Sequence, residues 1–106
     1  MSASLRRFEI LLPLRFNDGK PVPDGLIAET LTDLEAQFGA VSSESQVIRG
    51  IWHSQGQVFR DESARVFVDV NDLPESRQFF MEFKERLKVR FQQLDIWMTS
   101  YAIDVI

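Results

Sequence analysis

The chain has 106 residues, no cysteine, one histidine and a formal net charge of −4. That length predicts a single domain over residues 1–106, with enough apolar surface to fold without disulfides or a structural metal. The composition excludes disulfides, thiolate zinc sites, a cysteine nucleophile and a multi-histidine metal site within one chain, and the surplus of acid disfavours general binding to nucleic acid or an anionic membrane.

The first apolar run, residues 8–16, is interrupted by Glu9, Pro13 and Arg15. It is too short and too polar for a signal peptide's apolar region or a membrane span. A cytoplasmic protein is expected, and the lack of cysteine fits a reducing compartment. Nine phenylalanines stand against one tyrosine, which predicts a core filled by flat rings rather than by aliphatic side chains.

Residues 5–16 alternate, with Phe8, Ile10, Leu12, Leu14 and Phe16 on one side and Arg7, Glu9, Leu11, Pro13 and Arg15 on the other. This is a strand with one apolar face. Asn17, Asp18 and Gly19 supply loop chemistry, and Pro21 and Pro23 keep the next segment extended. Asp24 is positioned to cap a helix, whose stripe Ile27, Leu31, Leu34, Phe38 recurs at helical spacing. Gly39 is the natural stop. Residues 42–45 read as a loop and residues 46–54 as a second strand. Gln55 and Gly56 mark a turn. Val58 and Phe59 begin the return strand, Asp61 and Glu62 interrupt its pattern as a bulge would, and Ala64, Val66, Val68 and Val70 alternate cleanly.

Asp72, Pro74 and Glu75 have the spacing of a capping box with proline in the first turn. The second helix then carries the stripe Phe80, Phe83, Leu87, Phe91, with Phe79 beside it and Glu82 and Arg86 spaced to pair. Lys84, Arg86, Lys88 and Arg90 favour the C-terminal end of the helix dipole. Residues 94–106 read as a last strand, apolar on both sides. The order is βαββαβ. Two right-handed crossovers and a hairpin predict an α+β, ferredoxin-like sandwich: a four-stranded antiparallel sheet, first and third strands central, both helices on one face.

Candidate chemistry is sparse. His53 is the one side chain whose ordinary pKa lies near neutrality, and Asp61 or Glu62 across the hairpin would orient it as a general base. Its ordinary reading is a solvated or hydrogen-bonded hairpin histidine. Gly50 permits close backbone approach to a ligand, or leaves room for a cross-strand aromatic or a bulge. Arg60, Asp61, Glu62 and Arg65 form a charge cluster that would take an anion or a small metal ion, or pair within itself. No metal ligand set and no cofactor motif is present. The basic stretch of the second helix is diluted by Glu82 and Glu85. A base-stacking RNA sheet needs rings in the first and third strands. Phe67 supplies one, but Leu11 stands where the other is required, so no nucleic-acid partner is expected. The informative feature is the sheet face turned from the helices, to which Leu11, Trp52, Phe67, Trp97, Tyr101 and Ile103 are assigned, with Arg65 among them. Such a patch needs cover, and a second copy of the chain is the simplest cover.

Residues 8–14, Gly50-Ile51-Trp52 and residues 62–68, followed by a phenylalanine-rich helix and a closing strand, resemble small uncharacterised bacterial proteins of the ferredoxin-like type. The resemblance covers nearly the whole chain as a pattern. It implies sheet-to-sheet dimers and carries no activity over to any residue. The expectation is a non-enzymatic homodimeric binding or accessory protein that uses the open sheet face for a second copy, a small ligand or a protein partner. The alternative is a small enzyme of the dimeric α+β-barrel type, with a pocket near His53 and with Asp61, Glu62, Arg65 and Tyr101 as its polar groups.

Overall fold

The structure, a computed structural model, describes residues 4–44 and 46–106. Its elements are β1 (Leu5–Pro13), α1 (Asp24–Phe38), β2 (Ser42–Ser43), β3 (Ile48–Ser54), β4 (Gln57–Asn71), α2 (Pro74–Arg90) and β5 (Met98–Ile103). All strand pairs are antiparallel. β4 and β1 are central, β5 lies outside β1, and β2 and β3 both pair with β4. The ferredoxin-like order expected from the sequence is therefore present, with its second strand split in two.

The split has a simple register origin. Ser43 lies opposite Val66, while Ile48 lies opposite Ser63. The β2–β3 side thus carries two more residues than β4 between the same rungs. The irregularity expected at Asp61 and Glu62 sits instead on this partner side, and β4 runs unbroken for 15 residues. Its C-terminal half, from Ser63, pairs with β1; its N-terminal half pairs with β3. The β3–β4 hairpin therefore extends past the body of the sheet, and the molecule is 50 Å long against 29 and 25 Å in its other dimensions.

Strand alternation builds the core. Phe8, Ile10 and Leu12 of β1 and Val66, Val68 and Val70 of β4 face the helices and are buried. α1 contributes Leu34, and α2 contributes Phe80, Phe83 and Leu87, with Phe91 just beyond it. Phe80 stacks between Phe8, with centroids 3.9 Å apart, and Phe38, at 5.3 Å. Phe79 packs edge-on against both Phe80 and Phe38. The core is nevertheless mainly aliphatic, with nine buried aliphatic side chains against four phenylalanines among the described residues. The expectation of a core filled by rings rather than by aliphatic side chains therefore does not hold: the strand alternation supplies Ile, Leu and Val, and the rings gather under α2.

The helix ends differ in detail from the sequence reading. Neither helix has a side-chain cap: Pro23 and Leu73 occupy the N-cap positions. Asp72 lies one residue too early to cap and pairs instead with Arg6, at 3.1 Å. Asp24 is the first helical residue of α1, where its charge still favours the dipole. Pro74 is at the first turn of α2, and Gly39 ends α1 with φ of 82°. Glu82 accepts a bond from Gln78, and the Arg86 guanidinium lies over the Phe83 ring at 4.8 Å, so the expected Glu82–Arg86 pair does not form. The last strand is only Met98–Ile103; buried Ile96 belongs to the connection before it. No helix among the described residues is long and apolar enough to cross a membrane.

Candidate site on the open sheet face

Register places the odd-numbered residues of β1, β4 and β5 on the face away from the helices. Leu11 lies opposite Arg65, Glu9 opposite Phe67 and Arg7 opposite Asp69. On the other side of β1, Glu9 faces Thr99, Arg7 faces Tyr101 and Leu5 faces Ile103. Trp97 continues this row, its carbonyl accepting the Leu11 N–H at 3.0 Å. Along the hairpin the same face carries Trp52 opposite Phe59. Their rings stack at 4.3 Å, and the indole N–H donates to Asp61 at 2.8 Å. Leu11, Arg65, Phe67, Trp52, Trp97, Tyr101 and Ile103 therefore share one surface. Trp97 is 67 % exposed, Trp52 46 % and Tyr101 42 %, which leaves large aromatic area in water.

An ion network crosses the middle of this surface. The Glu9 carboxylate oxygen Oε1 accepts from both the Arg65 guanidinium and the Tyr101 hydroxyl, the latter at 2.6 Å. Arg65 also donates to Glu44, which follows β2. Arg7 forms a two-pronged bond to Asp69 at 2.7 and 3.0 Å. Both guanidiniums lie over the Phe67 ring, at 4.4 Å for Arg7 and 4.7 Å for Arg65. The ring that matched a base-stacking position is thus already occupied by cations. Arg65, with Tyr101 adding, holds the Glu9 carboxyl below its ordinary pKa, and Glu9 and then Glu44 hold Arg65 above its own. Asp69 likewise raises Arg7. Each of these shifts favours the charged form of Glu9, Arg65 and Arg7.

The structure does not bring His53 to a carboxylate. His53 lies opposite Val58 on the exposed hairpin. Asp61 is opposite Gly50 and turned to Trp52, and Glu62 is opposite Arg49 and reaches Arg15, at 3.6 Å. The charge cluster expected among Arg60, Asp61, Glu62 and Arg65 therefore does not form: Asp61, Glu62 and Arg65 take separate partners, and Arg60 lies opposite Ile51. Gly50 marks no bulge, and its cross-strand neighbour is not aromatic: an added Cβ would meet the Asp61 Cβ at 4.0 Å, an ordinary contact. Among the described residues no group of three or more His, Cys, Asp or Glu gathers as a metal site. Arg7, Glu9, Glu44 and Asp69 were not singled out from the sequence. The signal was there in the alternation: opposite charges at positions 7 and 9 of one strand and 65 and 69 of another pair when those strands are neighbours.

No protein-family model matches the chain, and no curated protein matches it. Solved structures do. A phage SAM lyase in complex with S-methyl-5'-thioadenosine aligns with a TM-score of 0.70 at 14 % identity, over 99 % of this chain and 93 % of that one. CutA from Synechococcus elongatus PCC7942 aligns at 0.66 with 10 % identity, over 96 % and 79 % of the two chains. The divalent cation tolerance protein of Thermus thermophilus aligns at 0.64 with 16 % identity, over 95 % and 85 %. The shared property is the fold. A lyase and cation tolerance proteins carry it alike, so activity has to be argued from this chain's own site.

Proposed function

We infer that the chain is a self-associating binding or accessory protein whose open sheet face is covered by further copies of itself. The observation that carries this is the exposed aromatic row, Trp52, Trp97 and Tyr101, flanking a network of charges that is already internally paired. A monomer rarely leaves such a surface in water, and a paired network costs less to bury than loose charges do. The hairpin adds a second requirement. Ile51 is 65 % exposed and Val58 49 % exposed, and they lie on the opposite face from Trp52 and Phe59. A two-fold pair covers the open face alone. Covering both hairpin faces takes a second contact, either another two-fold or a head-to-tail contact between unlike surfaces that closes as a ring.

Light scattering after size exclusion at micromolar concentration tests this reading. Two chain masses support the dimer, and three or more support the second contact. A single chain mass at concentrations up to about 1 mM sinks self-association. Trp97→Glu should shift the species to lower mass with the fold retained by circular dichroism.

A second reading places a small ligand on the same covered face. It is favoured by the Glu9–Tyr101 pair, a fixed carboxylate and hydroxyl between exposed aromatic rings. The likeness to the SAM lyase structure supplies the ligand class, an adenosyl thioether. Its base would stack on an exposed indole, and its polar groups would meet Glu9 and Tyr101. Calorimetric titration with S-methyl-5'-thioadenosine, and assay for SAM breakdown, test it. Binding lost in Glu9→Gln or Tyr101→Phe supports this reading. Absence of heat and of turnover removes it.

A further inference from the structure

Away from the open face, a groove of about 210 Å³ runs between α2 and the outer side of β5. Phe8, Phe80 and Met98 form its floor, and Arg77, Met81 and Lys84 form its wall. These three wall residues recur at spacings of four and three, so they make one stripe of the helix. β5 is an edge strand. The Leu11 N–H bonds to the Trp97 carbonyl, which fixes the antiparallel alternation: Thr99, Tyr101 and Ile103 turn their backbone groups to β1, while Met98, Ser100 and Ala102 turn theirs outward. The groove and the free backbone edge are adjacent.

We propose that this edge and groove receive an extended segment of another protein by strand addition, with an acidic side chain set against Arg77 and an apolar side chain over Met81. Three features meet here. A strand edge offers backbone hydrogen bonds to an extended chain, and side pockets select its alternate residues. The floor is apolar, and Met81 is 61 % exposed above it. The charge is complementary: Lys84 holds Asp95 at 3.0 Å, whereas no carboxylate among the described residues pairs with Arg77. The spacing also fits. Arg77 and Met81 are about 6 Å apart along a helix axis, and alternate residues of a strand are about 6.6 Å apart. The recognised pattern is therefore an acidic residue two positions from an aliphatic one, both on the groove side. Docking here leaves the open sheet face free, so the inference stands or falls independently of self-association.

The probe is a fluorescein-labelled peptide, Ser-Thr-Glu-Thr-Val-Thr-Glu-Thr-Ser, whose symmetry allows it to enter in either direction. Fluorescence anisotropy should show saturable binding, and the control with both glutamates replaced by lysine should not bind. Arg77→Glu should weaken binding at least about tenfold. Ala102→Pro removes an outward N–H without taking a bond from β1, and it should weaken binding to a similar degree. Amide shift changes on titration should map to residues 98–102 and to the Arg77–Lys84 stripe. If Ala102→Pro fails to fold by circular dichroism, Arg77→Glu and the shift map decide. No saturation up to about 1 mM overturns the proposal, as does equal binding of the lysine control or binding unchanged by Arg77→Glu. A change of assembly mass in Ala102→Pro also overturns it, since the edge would then join copies of this chain.

Discussion

Tyr101 stands opposite Arg7 in the β1–β5 register, yet its hydroxyl reaches diagonally to Glu9 at 2.6 Å. The same carboxylate oxygen accepts from Arg65 on the other neighbouring strand, so Glu9 ties together the three strands β4, β1 and β5. Because Arg65 and Tyr101 lower the Glu9 pKa in the folded state, the bond contributes stability that is fully present above the unfolded value, about 4.3. That stability is lost as pH falls through the depressed folded value. Thermal melting of the natural chain and of Glu9→Gln should therefore differ at neutral pH and converge in acid. Tyr101→Phe removes one of two donors and should narrow the difference rather than abolish it. A constant gap across the pH range would show that Glu9 acts through packing and not through its charge.

Phe83 is fully buried in the middle of the α2 stripe, while Glu82, one step around the helix, is exposed and bonded only to Gln78 among the described residues. Phe83→Ala should cost about 3–5 kcal/mol, a large share of a small domain's stability. Glu82→Ala should cost well under about 1 kcal/mol. Denaturant melts of both variants check this, and comparable losses would contradict the packing described.

The sequence carried the architecture because each long element has a strong period. Phe8, Ile10 and Leu12 alternate, Phe80, Phe83 and Leu87 recur at helical spacing, and all six are buried. It carried the shared face of Trp52, Phe67, Trp97 and Tyr101 for the same reason. What local spacing could not carry was which of several eligible partners a polar side chain takes. Asp72 has the right type and spacing for a cap, but Arg6 from a distant strand claims it. Asp61 and Glu62 suit a catalytic histidine, but Trp52 and Arg15 take them. The split of the second strand depends on register against β4, which no local pattern encodes.

Arg90 links the two helices where apolar packing leaves a polar group inside. Its guanidinium donates to the Thr30 hydroxyl at 2.9 Å and to Asp33 at 2.7 Å, and Thr30 is wholly buried. The Thr30 hydroxyl in turn donates to the Leu26 carbonyl. Arg90→Ala should cost about 1–3 kcal/mol by leaving the buried Thr30 hydroxyl without its donor and the partly exposed Asp33 without its partner. Arg90→Lys should recover only part, because an ammonium cannot reproduce the planar fork that spans both partners. Chemical denaturation of the two variants measures this. Full rescue by lysine would mean that charge alone, not geometry, joins the helices.

The hairpin turn is strained by its own residue choice, and relieving it should strengthen the element on which the proposed assembly depends. Ser54 and Gln57 close a two-residue loop, and both loop residues have positive φ, 51° at Gln55 and 79° at Gly56. That is the backbone of a type I′ turn, whose first position favours asparagine. Glycine meets the second requirement without penalty, whereas glutamine lacks the short side chain that stabilises left-handed geometry locally. Gln55→Asn should therefore stabilise the chain by a few tenths to about 1 kcal/mol. Gly56→Ala should destabilise it by roughly 1–2 kcal/mol, the left-handed penalty of a Cβ. Neither change touches Trp52, Phe59, Ile51 or Val58, so any effect on assembly mass must come through the order of the hairpin. Amide exchange of residues 48–63 reports that order directly. Slower exchange and tighter self-association in Gln55→Asn, with the reverse in Gly56→Ala, are the expected outcomes. If exchange changes while the assembly constant does not, the hairpin is not part of the subunit contact, and self-association must rest on Trp97 and Tyr101 alone.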